Sequence, residues 1–287
     1  FTVDNTAPTI SAVTQVVTPS NDTTPSYVFT TNEAGTITTN ITEGFSTSAS
    51  AANGNNTVTF NALAPGTYAD KTITLTDAAG NTSSLTLVTF VIDTTAPTAA
   101  ITYNSASPYK NGDTVTITAT FNGPVADSPV PTIAIAGSGI ANVTSTNMTK
   151  TSTTVYTYSY AVPTGDGTGT VTVGTAQDAA GNVVTSTPTS GATFTVDNTA
   201  PTISAVTQVP TPSNDTTPSY VFTTNETGTV TTNIGAGIDS GGTVSSTGEN
   251  TVTFNTLDAG TYADKTITLT DAAGNTSSLT LVTFVID

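Results

Sequence analysis

Oxygen-bearing side chains recur at matched places along this 287-residue chain, and their types suit metal binding better than catalysis. The sequence Asp-Ala-Ala-Gly-Asn occurs three times, beginning at Asp77, Asp178 and Asp271. A further aspartate precedes each copy of a Thr-Ala-Pro-Thr segment, at Asp4, Asp93 and Asp197. Carboxylate and amide oxygens favour a hard cation, and calcium tolerates an irregular shell of about six to eight oxygens better than magnesium does.

The same aspartates also fit a purely structural interpretation. Asp-Ala-Ala-Gly is a favourable type I turn, with aspartate at the first position and glycine at the fourth, so the turn needs no metal to explain it. The aspartates before Thr-Ala-Pro-Thr could simply end strands. The acidic spacing of an EF-hand loop is absent. The sequence alone leaves both interpretations open.

Composition argues against several other functions. The chain has no histidine and no cysteine, and no serine or threonine lies in a context that pairs a nucleophile with a base, so we expect no enzyme. Its net charge of -16 excludes a nucleic-acid partner, because the chain could not neutralise phosphates. No apolar run approaches the length of a membrane span, so we expect no membrane insertion by this part of the protein.

Internal repetition predicts three modules. Residues 6–40 recur almost unchanged at residues 199–233, and residues 56–93 recur closely at residues 250–287, whereas the stretch between them has a different interior. Proline lacks an N–H for a sheet ladder, so the Thr-Ala-Pro-Thr segments mark hinges. We predict an A-B-A′ array with domains at residues 1–93, 94–197 and 198–287. Phe1-Thr2-Val3-Asp4 matches the end of the middle module, so we expect this chain to be a segment of a longer array of modules.

Apolar residues alternate with threonine or serine in short runs such as Ile73-Thr74-Leu75, and no segment has a helical stripe. Short strands with frequent turn signals, in modules of about 90 to 105 residues, predict an all-β fold of antiparallel immunoglobulin-like β-sandwich domains. Tyr68 and Tyr262 follow Gly-Thr before a strand, where a tyrosine corner would bond the hydroxyl to the backbone. An ordinary half-buried aromatic is the alternative. The middle module has Gly165-Asp166-Gly167 at the matching place and needs another device.

In such a sandwich the loop after the second strand and the loop between the last two strands lie at the end where the chain enters, so we expect the acidic residues to converge there. The predicted ligands of the first module are Asp4, Asn5, Glu33, Asp77 and Asn81. Those of the third module are Asp197, Asn198, Glu226, Asp271 and Asn275. The middle module offers Asp93, Asp178 and Asn182, with Asn122 as a further candidate, and should bind more weakly.

Several motifs together carry a family resemblance. The Asp-x-Thr-Ala-Pro-Thr segment, Thr-Asn-Glu-Ala-Gly-Thr at residues 31–36, Gly-Thr-Tyr at residues 66–68 and Thr-Asp-Ala-Ala-Gly-Asn at residues 76–81 resemble the bacterial Ig-like repeats of large surface proteins, including biofilm-associated adhesins and stalk proteins. The resemblance spans all three modules. It implies an extender role in cell adhesion and, as in several adhesins, calcium where one module meets the next.

We therefore expect a non-catalytic structural spacer of an extracellular, cell-surface protein, of the adhesin-stalk type, with calcium stiffening its hinges. Neighbouring repeats of the same chain are the expected partners. One alternative is a building block of a surface layer, sheath or filament that assembles with other copies. Another is a carbohydrate-binding module, in which tyrosines of the middle module would form a sugar platform, although the chain has no tryptophan and the tyrosine alternation suits a core. Those tyrosines are Tyr103, Tyr109, Tyr156, Tyr158 and Tyr160.

Overall fold

The structure, a computed structural model, describes residues 3–47, 49–239, 242–244 and 247–287, so the match of Phe1 and Thr2 to a preceding strand lies outside the described residues. Within these ranges the chain is all β, with antiparallel pairing between its strands and no helix. The predicted fold class is confirmed.

The first module contains two packed sheets. Its strands are β1 (Ile10–Thr14), β2 (Ser26–Thr31), β3 (Gly35–Thr39), β4 (Ser50–Ala51), β5 (Gly54–Thr59), β6 (Gly66–Tyr68), β7 (Thr72–Thr76), β8 (Thr82–Thr86) and β9 (Phe90–Ile92). One sheet has the order β1-β2-β5 and the other β4-β3-β7-β8, with the pair β6-β9 continuing the β7–β8 hairpin. Inward Tyr27 and Phe29 alternate with outward Val28 and Thr30 on β2, as the period of two predicts.

The middle module has two four-stranded sheets. Its strands are β10 (Ala99–Tyr103), β11 (Thr114–Phe121), β12 (Thr132–Ala136), β13 (Val143–Asn147), β14 (Thr149–Lys150), β15 (Val155–Ala161), β16 (Gly167–Gly174) and β17 (Thr193–Val196). Their orders are β10-β11-β15-β14 and β13-β12-β16-β17. The different interior seen in the sequence therefore builds the same kind of sandwich with longer central strands.

The third module repeats the first. Its strands are β18 (Ile203–Thr207), β19 (Ser219–Thr224), β20 (Gly228–Thr232), β21 (Thr243–Val244), β22 (Gly248–Thr253), β23 (Gly260–Tyr262), β24 (Thr266–Thr270), β25 (Thr276–Thr280) and β26 (Phe284–Ile286). The sheet orders β18-β19-β22, β21-β20-β24-β25 and β23-β26 match those of the first module strand for strand.

Buried apolar residues of the described ranges form three separate clusters. They extend from Val16 to Ile92, from Ala99 to Val196 and from Val209 to Ile286. Each cluster lies inside one predicted module, which agrees with independent cores of this size. The domain boundaries themselves stay a prediction.

The corner tyrosines bond to backbone as predicted. The Tyr68 hydroxyl donates to the Ala64 carbonyl at 2.9 Å, and the Tyr262 hydroxyl donates to the Asp258 carbonyl at 3.0 Å. The Tyr68 ring stacks on Phe90 with centroids 5.0 Å apart. This contact fixes the hairpin that carries the Asp-Ala-Ala-Gly-Asn turn at its far end.

The middle module has no corner tyrosine. Its strand register shows that Gly167-Thr168-Gly169, and not Gly165-Asp166-Gly167, corresponds to Gly66-Thr67-Tyr68. Gly169, rather than a tyrosine, stands opposite Phe194, because Gly167 pairs with Val196 as Gly66 pairs with Ile92. The space is filled by other rings that pack against Phe194, namely Tyr103, Tyr109 and Tyr160.

Candidate metal centres

The Asp-Ala-Ala-Gly-Asn turn holds its first aspartate rigidly. It connects β7 to β8, and Asp77 Oδ1 accepts hydrogen bonds from the backbone N–H groups of Ala79 at 2.8 Å and Asn81 at 2.9 Å. Asp77 Oδ2 accepts a third bond from Asn81 Nδ2 at 2.8 Å. The side-chain bond from Asn81, followed by those from the backbone, holds the pKa of Asp77 below its usual range. The carboxylate is buried, and these hydrogen bonds favour its ionised form.

The other two turns repeat this arrangement. Asn275 donates to both oxygens of Asp271, from its backbone at 2.8 Å and from Nδ2 at 2.9 Å. Asn182 does the same to Asp178, at 2.9 Å for each bond. In all three modules, therefore, the amide group of the asparagine orients the aspartate.

The loop after the second strand of the first module places a glutamate beside the turn. The Thr31 hydroxyl donates to the Glu33 carbonyl at 3.0 Å and lies 3.4 Å from the Glu33 N–H, so it fixes the backbone of the loop. Asn32 Oδ1 accepts the Thr9 N–H at 2.7 Å, which ties the leading segment to the same loop. In the third module the same bonds are made by Thr224, Asn225 and Glu226. Here Asn225 Oδ1 accepts a hydrogen bond from the Thr202 N–H at 2.6 Å.

The leading segment brings the third carboxylate. Asp4 Oδ1 accepts the Thr6 N–H at 3.0 Å, and the Asp4 carbonyl accepts Asn81 Nδ2 at 3.3 Å. One oxygen each of Asp4, Glu33 and Asp77 lie within 4.8 Å of one another. Residues far apart in sequence thus form one acidic cluster, with Asp4 exposed, Glu33 half-buried and Asp77 buried.

The third module forms the matching cluster of Asp197, Glu226 and Asp271, whose oxygens again lie within 4.8 Å. Burial, followed by the charges of Asp197 and Asp271, raises the pKa of Glu226. A smaller part of that rise comes from Asp166, which belongs to the middle module. Burial and the neighbouring carboxylates therefore both disfavour the ionised form of Glu226.

The middle module lacks a third carboxylate at this place. Asn122 Oδ1 accepts the Thr98 N–H at 2.9 Å, so Asn122 corresponds to Asn32 and Asn225. The glutamate position is therefore taken by Gly123. Asp93 and Asp178 remain, linked by Asn182, whose Nδ2 donates to the Asp93 carbonyl at 2.8 Å. A cavity of about 340 Å³ lies at this place, lined in part by Asp93, Gly123 and Asp178.

Two predicted ligands lie differently from the rest. Asn5 is exposed on the leading segment. Asn198 turns toward the middle module, where its Oδ1 accepts the Asn111 N–H and its Nδ2 donates to the Gly165 carbonyl. The Asn198 amide therefore fastens the linker and does not join the cluster around Asp271.

Residues outside the predicted ligand set support the clusters from outside. Asn32 and Asn225 each donate to the neighbouring glutamate side chain, at 3.5 and 3.3 Å. Their signal was available, because Asn-Glu recurs at residues 32–33 and 225–226. Asp166 and Lys110, which contact the third module from the middle one, occur once each and had no such signal.

The tyrosines of the middle module do not form a sugar platform. Tyr109, Tyr156 and Tyr160 are buried in the core, and Tyr103 and Tyr158 pack against it. Their alternation therefore reflects core packing, in agreement with the sequence pattern.

The geometry of the clusters decides what chemistry they can do. Turn formation accounts for Asp77 and Asp271 by themselves, but it gives no reason for a glutamate and a second aspartate to lie beside them. Three carboxylates this close suit a divalent cation with oxygen ligands, and the irregular donor set suits calcium better than magnesium. Nothing in either cluster offers the paired nucleophile and base of a covalent catalyst.

No protein-family model matches the chain, and no curated protein matches it. Among solved structures, it is similar to the fibronectin(III)-like modules of CbhA from Clostridium thermocellum at 14% identity and a TM-score of 0.29, covering 67% of this chain and 93% of that one. It is also similar to the chicken CNTN1 FN1-FN3 domains at 11% identity and a TM-score of 0.29, covering 96% and 98%. A membrane-anchored protein from Corynebacterium diphtheriae is similar at 12% identity and a TM-score of 0.24, covering 97% and 91%. Such weak likenesses carry no argument about function. In the described part of the chain, no helix has both the length and the apolar character to cross a membrane.

Proposed function

We propose that this chain is a structural, non-catalytic spacer from an extracellular cell-surface protein, of the adhesin-stalk type, and that calcium at the leading ends of its modules stiffens it. The observation that carries the proposal is the pair of three-carboxylate clusters, Asp4/Glu33/Asp77 and Asp197/Glu226/Asp271. Both stand where the linker enters a sandwich. A cation there would bond the linker to two loops of the module it leads into.

Electrostatics supports a cation at these clusters. Two like charges about 5 Å apart repel by roughly 1 to 3 kcal/mol, depending on how strongly water screens them. The chain bears 20 acidic residues against 4 basic ones, so lysine and arginine are too few to relieve this repulsion generally. A bound divalent ion would replace repulsion with attraction and would supply the ordering that an extender needs.

Calcium titration of the chain by isothermal calorimetry tests the proposal. We expect two ions per chain, one for each three-carboxylate cluster. Saturation at about a hundredfold over Kd adds about 2.7 kcal/mol to the stability of each occupied module, and a module of this size then gains roughly 10 °C or more in Tm.

Matched variants test whether the heat of calcium binding arises at the two carboxylate clusters. Asp271→Asn should reduce the stoichiometry to one, whereas Asp258→Asn, at an exposed acid of the same module, should leave it at two. No calcium uptake, or uptake that Asp271→Asn leaves unchanged, would refute the metal part of the proposal. The spacer part requires an elongated monomer in sedimentation velocity.

One observation favours a second candidate, a building block that assembles laterally. The outward face of the β4-β3-β7-β8 sheet carries hydroxyl side chains and no charge, although the chain as a whole is strongly acidic. These outward residues are Thr36, Thr38, Thr72, Thr74, Thr76, Thr82, Ser84 and Thr86. Two copies could approach along this face without bringing charged side chains against each other, so concentration-dependent association would favour the building block over the spacer.

A further inference from the structure

The two joints between modules are built from different residues at equivalent positions. Tyr109 bridges Val196 as Ser20 bridges Ile92, so Lys110 occupies the place of Asn21. Gly167 pairs as Gly66 does, so Asp166 occupies the place of Pro65. Asn198, after Asp197, occupies the place of Thr94, after Asp93.

At the second joint these residues clamp the linker. Asp166 accepts the Asn198 N–H on one oxygen and the Thr199 hydroxyl on the other. The Asn198 side chain is itself held by the Asn111 N–H and the Gly165 carbonyl. The first two linker residues after Asp197 are therefore bonded to the body of the middle module.

A lysine then bridges this joint to the third module. Half-buried Lys110 Nζ donates to the Gly274 carbonyl at 2.5 Å, on the turn that also carries Asp271. Asn275 Nδ2 of the same turn donates to the Asp197 carbonyl at 3.0 Å. The turn is thus bonded to the preceding module and to the linker, and these contacts need no metal.

The first joint is held more loosely. The Asn21 N–H donates to the Ala180 carbonyl at 3.0 Å, and Asn182 Nδ2 reaches the Asp93 carbonyl. Within the described residues, Thr94 has no hydrogen-bonding partner that matches those of Asn198. The cavity of about 340 Å³ lies between the modules here, with Pro19 on one side and Ala180 on the other. This pocket, together with a linker that lacks the bonds of Asn198 to the preceding module, leaves room for the two modules to move relative to each other.

We infer that the array is mechanically asymmetric: the first joint is a hinge, and the second joint is locked without metal by Asp166, Asn198 and Lys110. This goes beyond the proposed calcium role, because the difference between the joints persists in chelator. The first module would then move relative to a rigid unit formed by the middle and third modules.

Distances between spin labels test the inference on the full chain. The chain has no cysteine, so introduced cysteines are labelled specifically. Thr86→Cys with Ser145→Cys spans the first joint, and Ser145→Cys with Thr280→Cys spans the second; all three positions are exposed. In chelator, pulsed electron paramagnetic resonance should give a broader distance distribution across the first joint. Equal widths would overturn the inference.

Substituting the residues that differ between the joints tests whether they cause the difference in width. Asp166→Ala with Asn198→Thr should broaden the second joint to the width of the first, and Pro65→Asp with Thr94→Asn should narrow the first. Asp127→Ala, which removes an exposed acid paired with Lys150 in the middle module, should change neither. Unaltered widths in both exchanges would overturn the role of these residues. The result is independent of calcium uptake, so a failure of the metal proposal would remain distinguishable.

Discussion

At the scale of single residues, the two acids that matter most have opposite pKa shifts. Asp77 is held by hydrogen bonds that favour its ionised form, and its pKa is lowered. The pKa of Glu226 is raised, first by burial and then by the negative charges of Asp197 and Asp271. Hydrogen bonds therefore favour the ionised form of Asp77, whereas a bound cation would favour the ionised form of Glu226 against its burial and its neighbours.

Glu226→Gln should consequently affect stability in opposite directions with and without calcium. A carboxyl with a raised folded-state pKa destabilises the fold above that pKa, and the cost disappears as the pH falls through it toward the ordinary glutamate value. In chelator at neutral pH, the variant should therefore melt at the same or a higher temperature than wild type, with a flatter pH profile. In calcium it should lose the gain of the third module.

Scanning calorimetry at several pH values, with and without calcium, measures both effects. Glu249→Gln, at an exposed glutamate of the same module, is the matched control and should follow wild type throughout. A lower Tm for Glu226→Gln in chelator would contradict the repulsion on which this prediction depends.

Asn81→Ala tests the opposite shift. Because the Asn81 side chain is the largest cause of the lowered Asp77 pKa, its loss should raise that pKa toward the ordinary value. A lowered pKa gives stability that is present above the unfolded pKa and is lost as the pH falls through the folded one. The variant should therefore be less stable at neutral pH and show a smaller acid-induced loss.

Urea unfolding of Asn81→Ala between pH 7 and pH 2 provides the measurement, with Asn5→Ala as the control on the exposed leading segment. An acid-induced loss of the same size in Asn81→Ala and wild type would show that the amide does not set the Asp77 pKa.

At the scale of the strands, the hairpin that carries each turn is fixed at its far end by ring contacts. In the first module Tyr68 packs on Phe90, and in the middle module the same space above Gly169 is filled by rings from other strands. A Cβ at Gly169 would lie 2.5 Å from Phe194 Cζ, on a ring that is buried. The glycine is therefore required by packing.

Gly169→Ala should destabilise the middle module by about 1 to 3 kcal/mol through overpacking. Gly123→Ala is the matched control, since a Cβ there meets nothing within 4 Å. Chemical unfolding of both variants decides the matter. Equal stability of the two would mean that the Phe194 ring can move aside.

Elements of this kind are largely predictable from the sequence. Alternation of threonine with apolar residues gave strands such as β7 and β24, and the repeated Gly-Thr-Tyr gave the corner hydrogen bonds of Tyr68 and Tyr262. These features are local: an inward ring or a hydroxyl four residues from its acceptor depends on the strand itself.

The site was predictable where the chain repeats and unpredictable where modules meet. Glu33 and Glu226 follow from matched loops, whereas Asn122, a further candidate ligand of the middle module, accepts the Thr98 N–H as Asn32 and Asn225 accept theirs, so that Gly123 takes the glutamate position. The bonds of the Asn198 amide to the middle module and the bond of Lys110 to Gly274 depend on how two neighbouring sandwiches are oriented. No sequence pattern within one module predicts that orientation.

At the scale of the whole molecule, charge and connectivity act together. The net charge of -16 opposes the close approach of two copies, and salt at about 0.1 M screens this repulsion beyond roughly 10 Å. Repulsion within a cluster acts over a shorter distance and is screened less. Calcium is therefore expected to act within the carboxylate clusters, while ordinary salt mainly changes the approach of one copy to another.

Small-angle scattering of the full chain tests this consequence. Three sandwiches of about 35 to 45 Å each would reach roughly 105 to 135 Å when held in line. Calcium should leave the maximum dimension of the wild-type chain close to its chelator value, because hydrogen bonds lock the second joint without metal and the first joint has no three-carboxylate cluster. Asp166→Ala with Asn198→Thr, which removes the lock, should make the dimension respond to calcium bound at Asp197, Glu226 and Asp271, while Asp127→Ala, at an exposed acid of the middle module, should behave as wild type does. A wild-type dimension that lengthens in calcium would mean that the hydrogen bonds of Asp166 and Lys110 do not by themselves set the shape of the array.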